Sequence, residues 1–144
     1  MSPSIYVTGS GPDLVLIHGW AMHGGIFTPL SNLLARHFRL HIVDLPGHGY
    51  SHEFRSGDLA PKRLVEAIIT QTPPAFWLGW SLGGLFALRA ALDFPEQVHG
   101  LIEVASSPRF VRGEDWPHAV SAEIFREFGN APAAGFRPTL ERFV

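Results

Sequence analysis

The chain contains no cysteine, one lysine (Lys62), two tyrosines and two methionines in 144 residues. Without cysteine it can form neither a disulfide framework nor a thiolate metal site, and a reducing compartment suits it. With one lysine, nearly all its positive charge is arginine, a side chain fitted to carboxylates and phosphates; arginine-biased codon usage would give the same composition. The net charge of −2 lacks the clustered basic face of a nucleic-acid binder. No apolar run approaches the roughly 18–20 residues a bilayer requires. Residues Met1 to Thr8 lack the basic and apolar regions of a signal peptide, so a cytoplasmic protein is expected.

What is present is the composition of a globular domain, 46% hydrophobic and 17% charged. Continuous apolar runs at Leu14 to Ile17, Leu40 to Val43 and Ala75 to Leu78 read as strands buried on both faces, Val98 to Ala105 as a fourth strand, and Ile5 to Val7 as a shorter one. Helical patterns lie between them. Thr28-Pro29 supplies a cap and a first-turn proline ahead of Leu30, Leu33, Leu34 and Phe38. Asp58 is placed to cap a helix bearing Leu64, Val65, Ile68 and Ile69 that ends before Pro73-Pro74. Leu82, Leu85, Leu88 and Leu92 mark a third helix. Alternating strands and helices predict an α/β fold, a mostly parallel sheet covered by helices. The pattern stops after Ser106. Residues 1–108 are expected to form the core and residues 109–144, broken by Pro117, Pro132 and Pro138, the start of a lid with a short helix over Ser121 to Phe128.

Chemistry concentrates where strands end. Gly79-Trp80-Ser81-Leu82-Gly83 fits G-x-S-x-G, with a buried strand directly before it and a helix directly after. In such an elbow the flanking glycines remove Cβ atoms that would collide in the sharp turn. The serine oxygen then stands above the sheet edge at a helix N-terminus, which favours negative charge. Ser81 is therefore the candidate nucleophile. A tetrahedral intermediate needs two N–H donors. Leu82, the residue after the nucleophile, supplies one; Trp20, in the loop that follows Leu14 to Ile17, supplies the other from its backbone. His18 reads as a histidine that buttresses this loop, and Asp44 as the residue that fixes the turn after its own strand.

The ordered set His18-Gly19-Trp20, Asp44-Leu45-Pro46-Gly47-His48-Gly49-Tyr50-Ser51 and Gly79-Trp80-Ser81-Leu82-Gly83-Gly84 resembles the α/β-hydrolase superfamily. Within it, the two tryptophans, Val104-Ala105-Ser106-Ser107-Pro108, Trp116-Pro117 and Glu141-Arg142-Phe143 are similar to the pimeloyl-[acyl-carrier protein] methyl ester esterases of biotin synthesis. The resemblance implies hydrolysis of a pimeloyl methyl ester, carried on an acyl-carrier protein, to methanol and the free carboxylate. It implies that Trp20, Ser81, Leu82 and Phe143 contact the substrate, that Arg142 and Arg137 face the acidic carrier, and that neither metal nor organic cofactor is needed.

Members of that family run to roughly 250 residues, with the order nucleophile, acid, histidine. Their acid and histidine would fall beyond Val144, so the chain is expected to be a truncated core, inactive alone. Asp93, Glu96 and His99 cannot substitute, because they belong to the opposite end of the sheet; His118, near Glu114 and Asp115, is the one local alternative. The strand Val98 to Ala105 would be an exposed edge open to self-association. Two other readings stay open: another small-ester or thioester serine hydrolase, and a non-catalytic remnant or interaction module.

Overall fold

The computed structural model describes residues 2–52 and 60–127. Five strands, β1 (Ser4–Gly9), β2 (Asp13–Ile17), β3 (Arg39–Asp44), β4 (Ala75–Trp80) and β5 (Val98–Val104), form one sheet in the order β1-β3-β2-β4-β5. β1 runs antiparallel to β3; every other pair is parallel. The expected strands are thus all present, each within two residues of its predicted ends.

The apolar runs are continuous because both faces are covered. Side chains alternate along a strand. Val15, Ile17, Val43, Ala75 and Trp77 pack on one face with Leu64, Val65 and Ile68 of α2 (Pro61–Ile69) and with Phe86, Ala87 and Ala90 of α3 (Leu82–Asp93). Leu14, Leu16, Leu40, Ile42 and Leu78 pack on the other, against Leu30 and Leu34 of α1 (Thr28–Leu34).

Three local expectations are corrected. Thr28 is the first residue of α1, not its cap; its hydroxyl donates to Gly25 O at 2.8 Å, closing the 3₁₀ turn Gly24–Phe27, and Phe38 lies beyond the helix. α2 starts on Pro61 after Ala60 and ends at Ile69, ahead of the two prolines; Asp58 lies outside the described residues. The leucines of α3 do not carry its buried face. Gly83, Gly84, Phe86, Ala87 and Ala90 do, while Leu92 is 69% exposed, because the elbow draws the helix so close to the sheet that only small residues fit its first turn.

The topology places the site. From β2 the chain moves to β3 on one side and then to β4 on the other, so the direction of winding reverses about β2. Crevices outside the carboxyl ends of strands at such a reversal are where open α/β sheets bind ligands. The register aligns Ile17 with Val43 and with Gly79, and Trp80 with Val104, so the loops after all four parallel strands leave the sheet at one end. β1 and β5 form the two edges, and on β5 Ile102 and Val104 are exposed.

The chain divides into compact units at Pro108/Arg109. In the second, Val111 bridges Val120, Gly113 bridges Trp116, Arg109 Nη1 meets Asp115 Oδ1 at 2.8 Å, and residues 122–127 are helical. No helix among the described residues is long and apolar enough to cross a membrane.

Candidate active site

Ser81 joins β4 to α3 with φ 52° and ψ −117°. A non-glycine residue in this region costs on the order of 1–3 kcal/mol and persists only where its surroundings impose it. Here three hydrogen bonds hold both of its peptide groups. Ser81 N–H donates to Val104 O at 2.9 Å; Ser81 O accepts from Gly84 N–H at 2.9 Å and from the Ser106 hydroxyl at 2.8 Å. Two of the three come from the end of β5, where Ala105 itself has φ 47°. A Cβ on Gly83 would collide with Ile17 O, and one on Gly84 with Ser106 Oγ, so both must be glycine for the helix to start this close to the sheet. Ser106 was not legible as a site residue: a serine in a Ser-Ser-Pro turn carries no signal of its own.

The loop after β2 lies against this elbow. A Cβ built on Gly19 would stand 3.2 Å from Ser81 Cβ and 3.4 Å from the Trp80 ring, so the glycine permits the approach. Trp20, half-buried, follows at once, and Leu82, also half-buried, opens α3. The three residues expected to cooperate, Trp20, Ser81 and Leu82, are therefore gathered at one end of the sheet. Phe143, Arg142 and Arg137 lie outside the described residues.

His18 is fully buried at the end of β2. Leu45 N–H donates to its Nε2 at 3.0 Å, which makes this nitrogen the lone-pair side and leaves the proton on Nδ1. Nδ1–H then donates to Gly19 O at 2.7 Å. Burial drives its pKa down to about 4, so the ring is neutral near pH 7, as both bonds require. The Gly19 carbonyl and the Trp20 amide share one planar trans peptide, in which C=O and N–H point oppositely. By holding Gly19 O, which also accepts from Met22 N–H at 3.3 Å, His18 sets the direction in which Trp20 N–H points.

Asp44 does more than fix its own turn. It is buried, with Oδ1 accepting from Gly24 N–H at 2.6 Å and Oδ2 from Tyr50 N–H at 2.8 Å, so it ties the loop after β2 to the loop after β3. The buried Ser51 hydroxyl donates to Asp44 O at 2.8 Å and accepts from Ser4 N–H at 2.8 Å.

No histidine among the described residues is hydrogen-bonded to Ser81. His99 stacks edge-on against Phe76, and Asp93 pairs with Arg89 at 2.6 Å. His99 sits where β5 begins, five strand positions before Val104, or roughly 17 Å along the strand. Glu103 is exposed, its Oε1 on the α3 side of the sheet beside Gly84. His118 packs its ring edge-on to Trp116 at 5.8 Å within the second unit.

Residues 12–144 match the family model described as alpha/beta hydrolase fold. The chain belongs to this family. It is 59% identical over 143 residues to the pimeloyl-[acyl-carrier protein] methyl ester esterase of Stenotrophomonas maltophilia, a match covering 97% of this chain and 53% of that protein. With the esterase of the same name from Xanthomonas oryzae pv. oryzae it shares 58% over 140 residues, covering 97% and 54%. It thus spans about half the length of these curated relatives. Among solved structures, an esterase from Exiguobacterium antarcticum superimposes with TM-score 0.87 at 25% identity, over 98% of this chain and 56% of that one. A marine microorganism esterase gives 0.78 at 19% identity, which speaks to the fold alone. The expected α/β-hydrolase architecture and the esterase resemblance both agree with these matches.

Proposed function

We propose that this chain carries the nucleophile and oxyanion donors of a serine carboxylesterase acting on pimeloyl-[acyl-carrier protein] methyl ester. The observation that supports the reading is the close approach of Gly19, the residue before Trp20, to a serine held at positive φ. The names of the relatives supply the substrate. Ser81 Oγ attacks the ester carbonyl, and its proton passes to a base. The two amides receive the oxyanion, methanol leaves, and water cleaves the acyl-enzyme to release the carboxylate. We assign the base, and the acid that orients it, to the portion of the relatives that this chain does not span, since the match covers 53% of the Stenotrophomonas protein. Residues 109–144 begin a lid in which Phe143 lines the acyl channel while Arg142 and Arg137 meet the carrier protein. The reaction takes place in the cytoplasm, and the exposed β5 edge is where an isolated chain self-associates.

The test is a chimera joining this chain to the part of the Stenotrophomonas relative that it does not span. Its kcat/KM for the carrier-bound pimeloyl methyl ester should exceed that for p-nitrophenyl acetate, and both activities should vanish in Ser81→Ala. Equal or better turnover of the aryl ester would favour a general small-ester hydrolase. Activity that survives Ser81→Ala would remove Ser81 from the mechanism.

A further inference from the structure

We propose that His48 is a positioning residue for the oxyanion loop, gripping it through an imidazole lone pair; the inference rests on the reading of Trp20 N–H as an oxyanion donor. Ala21 N–H donates to His48 Nε2 at 3.3 Å, and His48 Nδ1 lies 3.0 Å from Pro46 O. Since Nε2 accepts, the proton is on Nδ1, which donates to Pro46 O and so fixes the ring to its own loop. His18 has the same tautomer and the same division of labour with the loops exchanged. Its Nδ1–H holds Gly19 in its own loop, and its Nε2 receives Leu45 N–H from the loop after β3. The rings lie 5.2 Å apart. Two neutral imidazoles thus clasp the two loops reciprocally.

The grip falls where the loop needs it. Ala21 has φ 61°, a conformation that relaxes unless imposed. His18 fixes the peptide between Gly19 and Trp20, which bears the proposed oxyanion donor. His48 fixes the next peptide, between Trp20 and Ala21. With one peptide held and the other free, Trp20 could rotate about its own φ and ψ; with both held it cannot. His18 is buried and its bonds are part of folding, whereas His48 is partly exposed, which makes it the separable half of the clasp.

The experiment uses the ¹⁵N-labelled 144-residue chain and three variants. Glutamine places a carbonyl oxygen near the position of His Nε2, asparagine only near Nδ1, and phenylalanine nothing that accepts. Amide exchange at Ala21 should quicken about fivefold or more in His48→Asn and His48→Phe and stay within about twofold in His48→Gln, as expected for one hydrogen bond. Leu45 N–H, held by His18, should keep its protection in all three and reports that the fold is intact. Long-range imidazole spectra of the parent chain should show His48 protonated at Nδ1. In the esterase chimera, kcat should fall about tenfold in His48→Phe with KM unchanged, and His48→Gln should restore it.

The opposite tautomer would overturn the proposal. So would Ala21 exchange that is unchanged in His48→Phe, loss of Leu45 protection in all three variants, or unchanged kcat in His48→Phe. The exchange and tautomer measurements need no hydrolysis. An unreactive Ser81 with the expected exchange pattern would therefore sink the functional reading alone.

Discussion

The two sides of the Ser81 crevice are built differently. On the β2–β3 side the loops are held by buried polar groups: His18 and Ser51 each bond in two directions, and Asp44 accepts two amides through its carboxylate. Four of these six bonds are buried, where a lost partner is expensive, and the other two are partly buried. On the β4–β5 side the elbow is held by Val104 O and the Ser106 hydroxyl, from a strand with one sheet neighbour and exposed apolar side chains. The loop after β2 is therefore preorganised by the core, whereas the strained Ser81 turn depends on an edge. The side that carries the more strained residue is the side with the less protected support.

The largest effect expected concerns both sides together. Among the described residues neither contains a base bonded to Ser81, so a sound crevice should still be nearly silent. Loss of the histidine alone from a serine triad costs about 10⁶-fold, with a residual on the order of 10³-fold over water from the oxyanion hole and binding. Hydrolysis of p-nitrophenyl acetate by monodisperse 144-residue chain should be indistinguishable from that of Ser81→Ala. A Ser81-dependent rate within about 100-fold of an ordinary esterase, for which roughly 10 s⁻¹ is typical, would reveal a base, and His118 would be the first residue to substitute.

Next in size is the buried carboxylate. Asp44→Ala strands the Gly24 and Tyr50 amides and should lower stability by about 3 kcal/mol, since a bond to a charged group contributes about 1.5–3 kcal/mol. Urea unfolding measures it; a loss below about 1 kcal/mol would mean that the β2–β3 side is no better secured than the other.

His18 makes the same side sensitive to acid. Its folded pKa, about 4, lies below the ordinary 6.5. As pH falls through 6.5 the unfolded chain takes up a proton that the folded chain refuses until about pH 4, so stability falls with pH across that window. Between pH 7 and pH 5 this amounts to about 2 kcal/mol. Urea midpoints should drop more steeply over that interval in the parent chain than in His18→Gln; parallel slopes would show that His18 titrates normally.

The smallest effect belongs to the edge. Ser106→Ala removes one of two bonds to Ser81 O and leaves that from Gly84 N–H, so the loss should be about 1 kcal/mol. A loss as large as that of Asp44→Ala would erase the contrast between the two sides.

Much of this was legible in the residues alone, for reasons that can be named. Leu14 to Ile17 and Ala75 to Leu78 announced doubly covered strands because a parallel sheet leaves no solvent face. Gly79, Gly83 and Ser81 announced the elbow because only glycine tolerates the contacts on either side of such a turn. His18 and Asp44 were rightly read as props for their loops, since each sits at the end of a strand where the backbone begins to need partners. The sequence by itself thus determined the strand set, the order of the motifs and the residues to gather at one end of the sheet.

Tertiary structure decided the rest. That the leucines of α3 yield its buried face to Gly83, Gly84, Phe86, Ala87 and Ala90 follows from the helix–sheet distance, which no helical period encodes. That Ser106 holds Ser81, that Asp44 reaches Gly24 and that His48 grips Ala21 are pairings across 25, 20 and 27 residues of chain. Such pairings exist only when the topology has brought separate strand ends together. A local pattern can say that a polar side chain stands at a strand end, but not which distant amide or carbonyl will be within hydrogen-bond distance of it, because that distance is set by the packing of the whole sheet.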